Sequence, residues 1–278
     1  MPSYASSLRN ELAARSRAYA DKYRLPHCES CGRSPVIGFH AIEDGGHGNF
    51  LGQSYREIVA AELWQKRLRK IHTSARNAFP RSDYKWRELD SSTSSDALLM
   101  NIFCFPNLLS NQQVRCLLNL DQPTTPEFGL KARVPLGNNK FDHTEVDMRL
   151  GHLLVEAKLT ESNFQQKDAA YVNAYRDVAS VFDCDALPRT GERILGYQLI
   201  RNVLAAYANQ CSFCVMLDAR RPDLREAWYS VMRCITDYEL RVRCQMLTWQ
   251  ELAVVLPRPL QVFLAEKYGI TSDAQHEA

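Results

Sequence analysis

HTEVDMRLGHLLVEAKLT, residues His143 to Thr160, has the pattern of a β-hairpin. β-formers alternate with polar residues on both sides of Gly151-His152, a dipeptide suited to a two-residue hairpin turn with glycine first. Equal counts away from that turn face one another in an antiparallel pair, so Asp147 is expected opposite Glu156, and Glu145 opposite Lys158. Period two places these four on one face. The other face carries Val146 with Ala157, Met148 with Val155 and Leu150 with Leu153, an apolar set that can pack on a core. A slip of one residue would bury the charges, so the pattern specifies its own register.

Two carboxylates side by side repel unless a cation lies between them. Asp147 and Glu156 offer hard oxygen ligands suited to Mg2+ or Mn2+, ions that keep several waters and leave room for a phosphate oxygen. Lys158 beside such an ion would hold an attacking water or offset charge developing on phosphorus. The plainer reading is a cross-strand ion pair between Glu145 and Lys158 on a solvated surface, contributing about 0.2 to 1 kcal/mol.

The order Asp147, then Glu156-Ala157-Lys158, resembles the active-site signature of the PD-(D/E)XK nuclease superfamily, with the Asp on one hairpin strand, the Glu-x-Lys on the next, and a helix and a further strand behind. SSDALLMNIF (Ser94 to Phe103) and YQLIRNVLAA (Tyr197 to Ala206) look similar to segments of a bacterial group of restriction endonucleases within it, and the likeness covers residues 54–270. It implies an α/β protein with a restriction-endonuclease-like core, a central mixed β-sheet flanked by helices. It also implies Mg2+ (or Mn2+) held by Asp147, Glu156 and the Ala157 carbonyl, with DNA as substrate. Lys158 and Gln198 would be catalytic, since a Gln on the helix after the Glu-x-Lys strand recurs in related families. A further acid from a preceding helix makes Glu62 a candidate, and Glu145 is a candidate for holding Lys158. Restriction enzymes of this fold often cut as dimers, so a homodimer stays open, as does RNA.

The chain's 278 residues allow one large domain or a domain with an appendage. With 45% apolar and 24% charged residues it has the composition of a globular protein rather than a disordered one. A net charge of +2 leaves any basic surface to local clustering. Met1 to Ala20 is polar, without the apolar core of a signal peptide, and no apolar run is long enough to span a bilayer; the expectation is a cytoplasmic protein away from membranes. Nine cysteines, mostly in apolar stretches, suggest reduced buried thiols rather than a disulfide framework.

Residues 1–53 read as a helical, cysteine-containing extension, 54–270 as the nuclease-like domain and 271–278 as a tail. In the extension, Ser6 to Tyr23 is an amphipathic helix, a candidate docking arm, and Cys28 and Cys31 have zinc-knuckle spacing. His40 and His47 are the candidate third and fourth ligands of a structural Zn2+, and ordinary loop cysteines are the alternative. Cys211 and Cys214 read as core. A helix is expected from Ser54, its capping residue, towards Ala75, with Lys66, Arg67, Arg69, Lys70 and His72 crowding its end; DNA contact and a solvated face are equally compatible with that cluster. Ser94 or Ser95 caps the next helix, where Ser95 and Asn101 read as cap and core amide, or else as polar groups approaching the site.

A helix is expected over Phe164 to Ala179, and another over Arg193 to Gln210. The second is apolar nearly all round, yet Gln198, Arg201 and Asn202 form a polar stripe on it. Burying such groups unpartnered costs about 1 to 3 kcal/mol each, so they need partners, and the hairpin's active face or a phosphate would supply them. Arg220 and Arg221, after the strand Phe213 to Leu217, are read as a surface turn or as phosphate contacts. The leading function is thus a metal-dependent DNA endonuclease. Its rival is a non-catalytic nucleic-acid-binding protein with a structural zinc on a nuclease-like scaffold.

Overall fold

The alternation from Glu145 to Leu150 yields a strand whose residues are by turns half-buried and buried, and Leu153–Ala157 pairs with it antiparallel through Leu150↔Leu153, Arg149↔Leu154 and Met148↔Val155. Gly151 turns between them at φ +57°, a left-handed conformation that glycine adopts without the Cβ penalty. In this computed structural model, residues 3–30, 35–42, 45–71, 86–143 and 145–271 are described. The hairpin sits inside a five-stranded sheet ordered Cys244–Thr248, Ser212–Leu217, Leu153–Ala157, Glu145–Leu150, Glu127–Lys131.

Ser212–Leu217 runs parallel to Leu153–Ala157, whereas Glu127–Lys131 is antiparallel to Glu145–Leu150, so the sheet is mixed. The parallel pair needs a crossover, which the helix Tyr197–Ala208 provides. Leu199, Ile200, Val203 and Leu204 on that helix join Leu154, Phe213 and Val215 of the sheet in one buried core. This is the α/β class expected of the chain, a central mixed sheet flanked by helices. One expectation needs correcting. All five residues of Leu153–Ala157 are buried, so the strand has no solvated face. It is the middle strand of the sheet, and a strand covered on both sides loses its half-exposed character.

The chain divides into two compact units, Met1–Pro126 with Asp218–Arg220 and Thr248–Ala278, and Glu127–Leu217 with Arg221–Leu247. In the first, helix Tyr4–Tyr23 buries Leu8, Leu12 and Ala20 and is tied to helix Arg258–Tyr268 by Lys22 Nζ to Glu266 at 2.7 Å and Tyr23 Oη to Glu266 at 2.8 Å. The N-terminal helix therefore belongs to a folded unit rather than projecting as an arm.

Three helices differ from expectation. The run from Ser54 is two helices, Gly52–Ala60 and Glu62–Leu68, separated by Ala61 in an extended conformation. Ser54 is not its cap, because its hydroxyl donates to the Asn101 carbonyl at 2.6 Å while Asn101 Oδ1 accepts the Leu51 N–H at 2.7 Å, and this distant amide sets where the helix begins. His72 and the chain to Ala75 lie outside the described residues. The helix expected over Phe164 to Ala179 is replaced by strand Gln166–Asp168 and two single turns, Ala169–Val172 and Val178–Val181. Arg193–Leu195, expected as the start of the next helix, pairs with Gln166–Asp168 instead, and the helix starts only after Gly196 at φ +73°. Strand pairing across nearly thirty residues of chain overrides local helical periodicity at both places.

The cap expected at Ser94 and the core placement expected of Cys211 and Cys214 hold. Ser94 Oγ accepts the Ala97 N–H at 3.1 Å and caps helix Ser95–Phe103, and Thr248 with Glu251 forms a capping box on Trp249–Val254. Eight cysteines are described and all are free, with Cys211 and Cys214 in the core. No helix among the described residues is long and apolar enough to cross a membrane.

Candidate active site

Where the hairpin ladder passes Met148↔Val155, a side chain takes over from backbone pairing. Asp147 Oδ2 accepts the Ala157 N–H at 2.8 Å, which places this carboxylate beside the Glu156–Lys158 segment. Lys158 extends the parallel ladder, its N–H donating to the Met216 carbonyl at 2.8 Å. Its ammonium turns back onto Glu156, with Nζ donating to Oε1 at 2.7 Å and lying 5.7 Å from the Phe164 ring centroid. Glu156 and Lys158 are only 2% and 5% exposed. Burial lowers the affinity of Lys158 for its proton, but Glu156, Glu161 and Asp147 outweigh burial and hold the ammonium above its ordinary range.

The polar stripe of the crossover helix finds the partners it requires. Asn202 Nδ2 donates to Glu156 Oε2 at 2.6 Å, and Asn202 Oδ1 accepts from Arg201 Nε at 3.2 Å and from its terminal nitrogen at 3.0 Å. That nitrogen also donates to the Glu145 carbonyl at 3.1 Å. Arg201 thereby determines which way the Asn202 amide points, since a flipped amide would set NH2 against guanidinium. Glu156 is thus fixed through both oxygens, one on Lys158 and one on Asn202. Gln198 lies one turn before Asn202 on the same helix, half-buried, and its side chain makes no hydrogen bond among the described residues.

Asp147, Glu156, Lys158, Arg201 and Asn202 are accordingly brought together, and Glu145 contributes its backbone carbonyl. Glu62 lies in the other unit, its side chain 87% exposed and 3.5 Å from Lys66 Nζ. Arg67 is buried on Asp96 at 2.6 Å and Lys70 bridges Glu88 at 3.0 Å and Asp96 at 3.6 Å, so much of the basic cluster is spent on acids of its own unit. Asn101 is a satisfied core amide.

Of the four candidate zinc ligands, Cys31 lies outside the described residues. Cys28 packs against Val36 and Trp86, and the His40 ring lies 4.8 Å from the ring of Trp86. His47 has both ring nitrogens engaged, Nε2 with Asp90 at 3.1 Å and Nδ1 accepting the Asn49 N–H at 3.1 Å, which leaves no lone pair free for zinc.

Ala219 and Arg220 form the expected turn, half-buried, and the guanidinium groups of Arg220 and Arg221 are both committed to partners within the protein. Arg220 bonds Asp218, Glu11 and the Tyr268 carbonyl, while Arg221, fully buried, bonds Asp223 and reaches the carbonyls of Leu159 at 3.1 Å and Ser162 at 3.4 Å. Arg221 thereby straps the chain that leaves Lys158. Glu161 went unnoticed in the sequence. It accepts the Leu159 N–H at 2.7 Å and adds to the negative field on Lys158, a role that an acid three residues past a candidate lysine could have suggested.

The donor set suits a hard divalent cation. Among the described residues no three His, Cys, Asp or Glu side chains form a metal-holding group, but two carboxylates and a backbone carbonyl are enough for Mg2+, which retains most of its water. A carboxylate oxygen has more than one lone-pair direction, so Glu156 can keep Lys158 and Asn202 while accepting a further partner. In comparisons with known proteins, no curated protein and no solved structure matches significantly. A model of the family described as restriction endonuclease associating with ARP matches residues 12–269, taking in most of the N-terminal helix as well as all but the last residue of the expected 54–270. With an Asp, Glu-x-Lys hairpin on a mixed sheet, and a match over nearly its whole length, the chain belongs to this restriction-endonuclease-like family.

Proposed function

We propose that the protein is a metal-dependent endonuclease that hydrolyses phosphodiester bonds in DNA, with its active site at the end of the hairpin. The observation that carries this reading is the pairing of Lys158 with a buried Glu156 beside Asp147, where the Asp147 carboxylate replaces a backbone partner of Ala157. Asp147, Glu156 and the Ala157 carbonyl would hold Mg2+ or Mn2+. Bound there, such an ion would supply a water of lowered pKa and offset phosphate charge. Lys158 stays protonated because three acids surround it, so it acts as a hydrogen-bond donor to the attacking water or the phosphate rather than as a base. Asn202, aimed by Arg201, fixes the plane of the Glu156 carboxylate. Gln198, on the same helix face and with its amide uncommitted, orients the water or the phosphate. Arg221 holds the backbone after Lys158 and limits the drift of its ammonium.

Supercoiled plasmid incubated with purified protein tests the reading. Nicking is expected with Mn2+ or Mg2+ and none with chelator. Asp147→Asn, Glu156→Gln and Lys158→Met should each lower the rate by at least about a hundredfold, the scale for removing an electrostatic stabiliser. Full activity in Glu156→Gln would end this assignment, and tight DNA binding without metal-dependent nicks would favour the non-catalytic rival.

A further inference from the structure

Beside the catalytic network lies a group of rings that the reaction as described does not use. Tyr175 donates its hydroxyl to Asp142, and the Tyr197 hydroxyl lies 2.7 Å from that of Tyr175 and 3.4 Å from the same carboxylate. Burial raises both phenols above their ordinary range, and the Asp142 carboxylate adds to the effect, so they remain neutral. These two buried rings support a third. Tyr171 is 48% exposed and is held edge-on by Tyr197 at 5.6 Å and Tyr175 at 6.4 Å, with Lys167 Nζ 5.2 Å from its centroid. Phe141, one residue before Asp142, is 38% exposed and carries the Arg133 guanidinium 4.2 Å from its centroid. From Tyr197 the contacts continue to Arg201, 5.9 Å from its ring, then to Asn202 and Glu156.

Two exposed rings, each with a cation beside it, match what a nucleotide presents. The ring takes the face of a base and the cation takes its phosphate. Within a duplex those base faces are covered by their neighbours, so only an unpaired or extruded base can stack this way. We propose that Tyr171 and Phe141, with Lys167 and Arg133, form a stacking platform for unpaired nucleotides flanking the bond to be cut. The preferred DNA substrate then carries a single-stranded stretch next to the scissile phosphate; the proposal takes the nuclease reading of the hairpin as its premise.

Binding in chelator tests the platform apart from cleavage. Full-length protein is titrated into a dye-labelled oligothymidylate and into a blunt duplex of equal length, and anisotropy is read. Tyr171→Ala should weaken single-strand binding by about tenfold, the scale of one base stacked on one ring, and change duplex binding by less than about twofold. Phe141→Ala should act in the same direction, and Tyr171→Trp should restore single-strand binding. Tyr171 is half exposed, so a thermal melt matching that of the wild type is expected for Tyr171→Ala. Unchanged single-strand binding, or an equal loss on duplex, overturns the platform. Failure of the nuclease reading would appear in the plasmid assay, where the binding comparison has no part.

Discussion

Glu156 is buried between an ammonium and an amide, and both partners are needed because a carboxylate buried without them would be costly. Removing one partner of a buried charge strands the other, at about 1 to 3 kcal/mol for a hydrogen bond and 3 to 5 kcal/mol for an ion pair. Asn202→Ala should therefore destabilise the fold by about 2 kcal/mol in urea titration and slow cleavage as well, whereas an unchanged urea midpoint would mean that water replaces the amide. Lys267 is the opposite case. It is fully buried among the rings of Tyr19, Phe39, Phe263 and Tyr268, and donates to the Asn49 carbonyl at 2.8 Å. Desolvation holds its pKa well below the ordinary lysine range. Between that depressed value and the unfolded value near 10.4, the unfolded chain binds one more proton than the folded one, so this group's contribution to stability rises with pH. Over that window the wild type should gain on Lys267→Met by about 1.4 kcal/mol per pH unit. Urea midpoints of the two proteins at neutral and alkaline pH check this, and parallel profiles would show that Lys267 keeps its proton in the fold.

At the scale of elements, the crossover helix Tyr197–Ala208 does two jobs: it covers the sheet with Leu199, Ile200 and Val203, and presents Arg201 and Asn202 to the hairpin. Its start depends on Gly196, which is left-handed and so close to the helix Pro222–Met232 that an added Cβ would stand 2.8 Å from Val231 Cγ2. Gly196→Ala is expected to cost about 2 kcal/mol or more through combined backbone strain and overpacking, and to lower activity by shifting Asn202 away from Glu156. A melting temperature equal to the wild type's would show that the helix start tolerates the change. The hairpin and this helix were legible because their periodicities are long and unambiguous. Gln166–Asp168 and Arg193–Leu195 were not, since each is three residues long and is a strand only because it pairs with the other.

Across the whole molecule, the N-terminal helix Tyr4–Tyr23 is the test of how the chain is divided. It buries Leu8 and Leu12 and sets Tyr19 beside Lys267, inside the same unit as the C-terminal helix. Burying a leucine is worth about 1.5 to 3 kcal/mol, so deleting residues 1–23 should lower the melting temperature sharply and expose enough apolar surface to cause aggregation. Clean folding of that deletion would restore the picture of a docking arm. The sequence alone determined the hairpin, its register, the acids and lysine gathered by it, and the parallel strand reached through a helix, because alternation, a turn glycine and charge placement are local properties of the chain. Long-range packing, by contrast, is what buries the hairpin's charged strand, makes Arg201 and Asn202 its partners, spends Arg67, Lys70, Arg220 and Arg221 on internal bonds, and gathers the rings around Asp142. Each of these is a contact between segments far apart in the chain, and what a buried charge is paired with depends on what folding brings beside it.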